Sequence, residues 1–135
     1  MDNKQLLNIA EGMREKSYSP YSGYRVGAAL LCADDSVVTG CNVENISYGG
    51  TICAERTAFV KAISEGKRHF SKLAISVSGE ELGYPCGICL QFLSEFVGAE
   101  FEVICGNNKG EYKSYLFSEL LPFAFSSKSV NRVEK

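Results

Sequence analysis

Apolar side chains at Leu6, Ile9, Ala10 and Met13 recur at helical spacing, which predicts an amphipathic helix over residues 4–16. The following SYSPYSGY, punctuated by Pro20 and Gly23, breaks it. The apolar run 26–31 then reads as a buried strand, and Asp34-Asp35-Ser36 turns the chain into a second strand at about 37–43. Beyond a loop at 44–50, residues 52–63 are apolar around most of a helical circumference and predict a buried helix ended by Gly66. Strand signals return at 73–77 and 101–105, with a helix signal at 86–97 between them. A last strand is predicted at 112–116, after the turn Asn107-Asn108-Lys109-Gly110. Helix, two strands, then alternating helix and strand predict an α/β fold, a five-stranded mixed sheet flanked by helices.

Helix 86–97 is apolar at Ile88, Leu90, Phe92, Leu93, Phe96 and Val97, almost all round. Burial on several sides is expected, and a subunit interface can supply it. The 135 residues are enough for one domain with a sizeable core, closed by a polar tail from about residue 126 whose end is expected to fray.

Charge narrows the partners. With 14 Lys and Arg against 16 Asp and Glu the net charge is -2, and the absence of a long basic stretch argues against a polynucleotide ligand. A small molecule fits better. No run is long enough to span a bilayer, and the N-terminal residues show no basic flank followed by an apolar core, so a cytoplasmic protein is expected. The 6 cysteines are then expected to be reduced thiols.

Three of those thiols carry the chemistry. Cys53-Ala54-Glu55 and Pro85-Cys86-Gly87-Ile88-Cys89 each stand at a predicted helix start. Residues two apart on a helix do not share a side face, so Cys53 and Glu55 can serve one metal only at the helix's N-terminal end. Cys86 and Cys89, three apart, can converge on the same point from a second helix. A CxxC alone is equally compatible with redox or structural roles; the third cysteine beside a carboxylate favours an open zinc site. Three protein ligands leave a fourth position for water, whose pKa falls to about 7 on catalytic zinc, and Glu55 stands where a proton shuttle is needed. Zinc with three thiolates carries -1, and a hydroxide makes -2. Two helix ends of roughly +0.5 each and Arg56 offset it. The competing arrangement is a closed structural zinc with Cys32, Cys41, Cys105 or His69 as fourth ligand, although these cysteines lie in or beside apolar strands and His69 in a polar stretch.

At these motifs the chain resembles the cytidine deaminases of the small homotetrameric, zinc-dependent type, through nearly its whole length. Tyr18-Ser19-Pro20-Tyr21-Ser22 with Val26-Gly27-Ala28-Ala29, and Gly40-Cys41-Asn42-Val43-Glu44-Asn45, look like further blocks of that family. The resemblance implies the three-layer cytidine deaminase-like fold and hydrolytic deamination of cytidine and deoxycytidine, with ammonia released in pyrimidine salvage. It implies one Zn2+ per subunit on Cys53, Cys86 and Cys89, with Glu55 as proton shuttle. Substrate contacts are implied for Asn42 and Glu44 at the ribose, for Tyr24 where the family more often has Phe, for Ala54, and for Phe125 reaching a neighbouring subunit's base. The homotetramer is implied to hold its active sites near subunit interfaces. From the residues alone, Asn42 and Glu44 share one face of an extended segment and also fit a plain solvated strand end; Phe125 also fits a tail anchor in a core groove. Leu90 departs from the family's usual Arg, removing an always-charged donor. A relative acting on a modified cytosine nucleoside such as blasticidin S is the second enzymatic reading, and a structural zinc module the non-enzymatic one.

Overall fold

Alternate residues of strand β1 (Val26–Cys32) feed two different cores. Ala28, Leu30 and Cys32 point into the larger one, while Ala29 and Leu31 point into the smaller, as a period of two requires. The computed structural model describes residues 1–130. The sheet adds β2 (Val37–Cys41), β3 (Phe70–Val77), β4 (Glu102–Gly106) and β5 (Tyr112–Leu116) in the order β2-β1-β3-β4-β5. Strands β3 and β4 run parallel and the other neighbouring pairs antiparallel, which is the expected mixed sheet. The expected fraying of the chain's end falls on residues 131–135, outside the described residues.

Helix α1 (Asn3–Met13) covers one face, burying Leu6, Leu7 and Ala10 against Ala29, Leu31, Ala74 and Ile104. Its start is fixed by a reciprocal cap: Asp2 accepts from the Gln5 amide at 2.8 Å and the Gln5 side chain accepts from the Asp2 amide at 2.9 Å. The predicted helix 4–16 is three residues too long. Residues Arg14–Lys16 tighten into a 3-10 turn, and the Arg14 guanidinium donates to the Val77 carbonyl at 2.7 Å.

Helices α2 (Ala54–Ser64) and α3 (Gly87–Leu93) cover the other face, completing three layers. Ala58, Phe59 and Ala62 of α2 pack on Leu30, Leu73 and Ile75, and Phe59 stacks at 4.9 Å on Phe70, the residue at which β3 begins three positions earlier than its pattern indicates. Helix α3 is shorter than the predicted 86–97, because the amides of Glu95 and Phe96 reach back three residues and end the helical ladder. Burial on several sides is not met within this chain: Leu93 is buried but Ile88 is 67% exposed, and with Phe92 and Phe96 it borders an open apolar groove. Short helices α4 (Phe117–Leu120) and α5 (Ser127–Val130) follow the sheet.

Gly40 sets the seat of α2. A Cβ there would stand 2.6 Å from the Ala54 carbonyl oxygen and 2.6 Å from the Ala58 nitrogen, both backbone atoms. Gly40→Ala is therefore expected to lift the first turn of α2 and cost about 1–3 kcal/mol of stability. Urea unfolding should report it, with a parallel fall in retained zinc.

Candidate metal centre and pocket

Cys53 is the N-cap of α2 and Cys86 the N-cap of α3, so two helix N-termini meet where the sequence requires them to. Cys86 caps through sulfur, its Sγ accepting from the Cys89 amide at 3.5 Å, and this turn brings Cys89 under the same point. The three Sγ atoms lie within 4.8 Å of one another, and Cys53 and Cys86 are 3.8 Å apart. Tetrahedral zinc with Zn–S bonds of about 2.3 Å places its sulfurs about 3.8 Å apart, so this donor set fits that ion. Among the described residues the cluster consists of these three thiols alone. Cys32 and Cys105 are buried in strands, the Cys41 thiol meets the Lys16 carbonyl at 3.4 Å and His69 is exposed at the foot of β3, so none of the four joins the three thiols among the described residues.

Charge is concentrated here. The hydrogen bond from Cys89 and the Arg56 guanidinium, against the opposing effect of burial, bring the Cys53 thiol down to about 5, while the same bond and burial hold the Cys89 thiol up. Arg56 places Nη2 3.6 Å from Cys53 Sγ and 3.5 Å from the Thr51 carbonyl, and its buried Nε has no partner. An orphan of that kind costs about 1–3 kcal/mol, a cost offset by the attraction of the charge to the sulfurs.

Glu55 is 4% exposed in the first turn of α2. Burial, with the Cys53 thiolate adding to it, pushes its carboxyl up to about 7, so it can both hold and release a proton near neutral pH. Leu90 packs partly buried against the larger core, and so brings no charge to the thiols. Arg56 is the guanidinium that faces Cys53.

A cavity of about 200 Å3 opens beside Cys53 and Cys86, with Glu55, Ala54, Asn42, Tyr24 and Thr51 among its walls. Burial raises the Tyr24 hydroxyl and the Glu55 charge adds to it, as expected of a ring turned partly inward. The Asn42 amide is largely committed to the fold. Its oxygen accepts from the Ser17 hydroxyl and the Val26 amide, and its nitrogen donates to the Tyr24 carbonyl at 2.8 Å, leaving one N–H. Glu44 lies in an adjoining cavity of about 380 Å3 with Tyr21, Asn45 and Tyr48, and Thr51 borders both spaces. Its carboxylate accepts from the Tyr21 and Ser22 amides and the Ser22 hydroxyl, which lower its pKa. Asn42 and Glu44, two residues apart, thus border adjoining cavities that meet at Thr51.

Phe125 is 65% exposed and borders neither of these cavities; Gln91 of α3 donates to its carbonyl at 2.7 Å. Sequence reasoning passed over Thr51 and Tyr84, which also line the inner cavity. Tyr84, two residues ahead of Cys86, carried a signal of proximity only.

A buried acid beside three thiols, at the joint N-termini of two helices and on the wall of a small cavity, defines a zinc-type hydrolytic centre. Residues 1–105 match the family model described as the cytidine and deoxycytidylate deaminase zinc-binding region. A protein named cytidine deaminase from Halalkalibacterium halodurans is 45% identical over 97% of this chain and 99% of its own length. One from Sporosarcina psychrophila is 43% identical over 97% and 96%. The crystal structure of cytidine deaminase from Burkholderia pseudomallei superposes with a TM-score of 0.89 at 41% identity, covering 93% of this chain and all of that one. The chain belongs to the cytidine and deoxycytidylate deaminase family, and it is a hydrolytic deaminase with the fold of that family.

Proposed function

We propose that this chain, as one domain over residues 1–135, converts cytidine and deoxycytidine to uridine and deoxyuridine, releasing ammonia, as a cytoplasmic enzyme of pyrimidine salvage. The observation that carries the reading is buried Glu55 beside a zinc-fitting trio of thiols on the wall of a cavity of about 200 Å3. Cys53, Cys86 and Cys89 hold one zinc per subunit. When bound, zinc supplies a Lewis acid that lowers the pKa of water to about 7. Glu55 takes the water's proton, gives it to N3 of the ring, and carries a second proton to the leaving amine. Arg56 balances the thiolate charge throughout.

Ala54 and Tyr24 flank the base, while the remaining N–H of Asn42 and the carboxylate of Glu44 address the sugar hydroxyls. The exposed Phe125 and the open groove of Ile88, Phe92 and Phe96 fit a homotetramer in which the tail of one subunit completes its neighbour's site.

A deamination assay across cytosine, cytidine, deoxycytidine and their monophosphates tests this, with zinc content and mass by light scattering on the same sample. Turnover of both nucleosides by a tetramer holding one zinc per chain is expected. Turnover of free cytosine without that of any nucleoside would sink the sugar contacts of Asn42 and Glu44.

A further inference from the structure

The segment between β3 and α3 ends on Tyr84-Pro85-Cys86, and the Tyr84 side chain lines the same inner cavity as Cys86, Glu55 and Asn42. It also lines a second, more open cavity of about 560 Å3, bordered by Glu80, Glu81, Asn107, Tyr112 and Lys113. Tyr84 is the residue these two cavities have in common. Its ring is held in place from β5: the hydroxyls of Tyr84 and Tyr115 are 3.1 Å apart, and the rings meet edge to face at 5.7 Å and 61°. Lys113 reaches within 5.3 Å of the Tyr115 ring from the same strand. The edge-to-face contact and the hydroxyl bond together orient the ring, which is 54% exposed, between the two cavities.

Deamination at C4 leaves two atoms flanking the reacting carbon, N3 and C5. N3 must gain a proton as water adds, so the N3 edge faces Glu55 on α2. The C5 edge then turns to the α3 side of the thiols, where Tyr84 precedes Cys86. We infer that Tyr84, positioned by Tyr115, is a specificity-determining residue: its ring closes the pocket at the C5 edge of the cytosine and caps the size of a substituent there. The polar cavity beyond the ring is the space a larger substituent would occupy. This assignment rests on the nucleoside reading above.

The test compares wild type, Tyr84→Ala, Tyr84→Phe and Tyr115→Phe, each with zinc measured. The first readout is kcat/KM for 5-iododeoxycytidine relative to deoxycytidine. The second is the ratio of dissociation constants for 5-iododeoxyuridine and deoxyuridine by calorimetry. One group of this size in a closed pocket is worth on the order of 10-fold or more, so Tyr84→Ala is expected to shift both ratios toward the iodo compound by at least about 10-fold. Tyr84→Phe and Tyr115→Phe each break the hydroxyl brace while keeping both rings, so both should fall between wild type and Tyr84→Ala and match each other within about twofold. Unmoved ratios in Tyr84→Ala overturn the assignment, as does a shift in Tyr84→Phe as large as that in Tyr84→Ala. Should Tyr84→Ala fail to fold, Tyr84→Leu takes its place under the same criterion, since it also removes the ring and hydroxyl. Wild type inactive on deoxycytidine sinks the nucleoside reading with this one; active wild type with unmoved ratios sinks Tyr84 alone.

Discussion

Glu55→Gln is expected to retain zinc and fold while kcat falls by about 10²–10⁴-fold, the range general acid–base catalysis supplies. The upper end is expected because one carboxyl serves three proton positions in turn: the water, the ring nitrogen and the leaving amine. The amide has nearly the same shape but neither releases nor accepts a proton at neutral pH. Stability should move the other way. The carboxyl of Glu55 is pushed up to about 7 chiefly by burial, so its ionised form is held in the fold against a desolvation cost that a neutral amide does not carry. Thermal unfolding of the variant is therefore expected at or above the wild-type temperature. Near-normal turnover with zinc in place would remove Glu55 from the chemistry; zinc loss on substitution would instead make it a support of the ligand set.

Removing a ligand thiol is expected to have the larger combined effect. Cys53→Ala, Cys86→Ala and Cys89→Ala should each leave less than about a tenth of the wild-type zinc and abolish measurable deamination, since two thiols do not complete a zinc site. The three should differ in stability. Cys53→Ala leaves Arg56, whose buried Nε already lacks a partner, without the thiolate it faces. Cys86→Ala strips the sulfur cap from α3, worth about 1 kcal/mol by analogy with oxygen caps. Cys105→Ser serves as the control: burial pushes the Cys105 thiol up to about 12, so it stays protonated and zinc content should be unchanged. Metal analysis with urea unfolding of all four variants checks this. Full zinc in any of the first three would break the proposed ligand set.

The five strands and three main helices were legible because period and punctuation are local properties. The predicted strands 26–31 and 37–43 end within a residue or two of β1 and β2. Errors collect at element ends, where long-range contacts decide. Phe70 joins β3 because it pairs with Cys32 and stacks on Phe59, neither of which is near it in sequence.

The thiol site was legible for a related reason. Cys53 with Glu55, and Cys86 with Cys89, are short-range spacings whose geometry a helix start dictates, and the structure puts all three sulfurs at one point. The pocket was not. Asn42 and Glu44 share a face in an extended segment, yet Ser17, Val26 and Tyr24 draw the Asn42 amide inward, while the loop amides of Tyr21 and Ser22 hold Glu44 in the adjoining cavity. Spacing says where a side chain can point, not which distant donor will take it.

By itself the sequence determined the kind of elements, their order, and the donor set of a zinc centre with an acid beside it. Tertiary structure alone decided the strand order β2-β1-β3-β4-β5, the backbone contact that only Gly40 permits under α2, and the Tyr84 partition braced from β5. The division is physical. Helix and strand periods and helix-start ligand spacings are written within a few consecutive residues, whereas cavities are bounded by residues that sheet pairing brings together from across the chain.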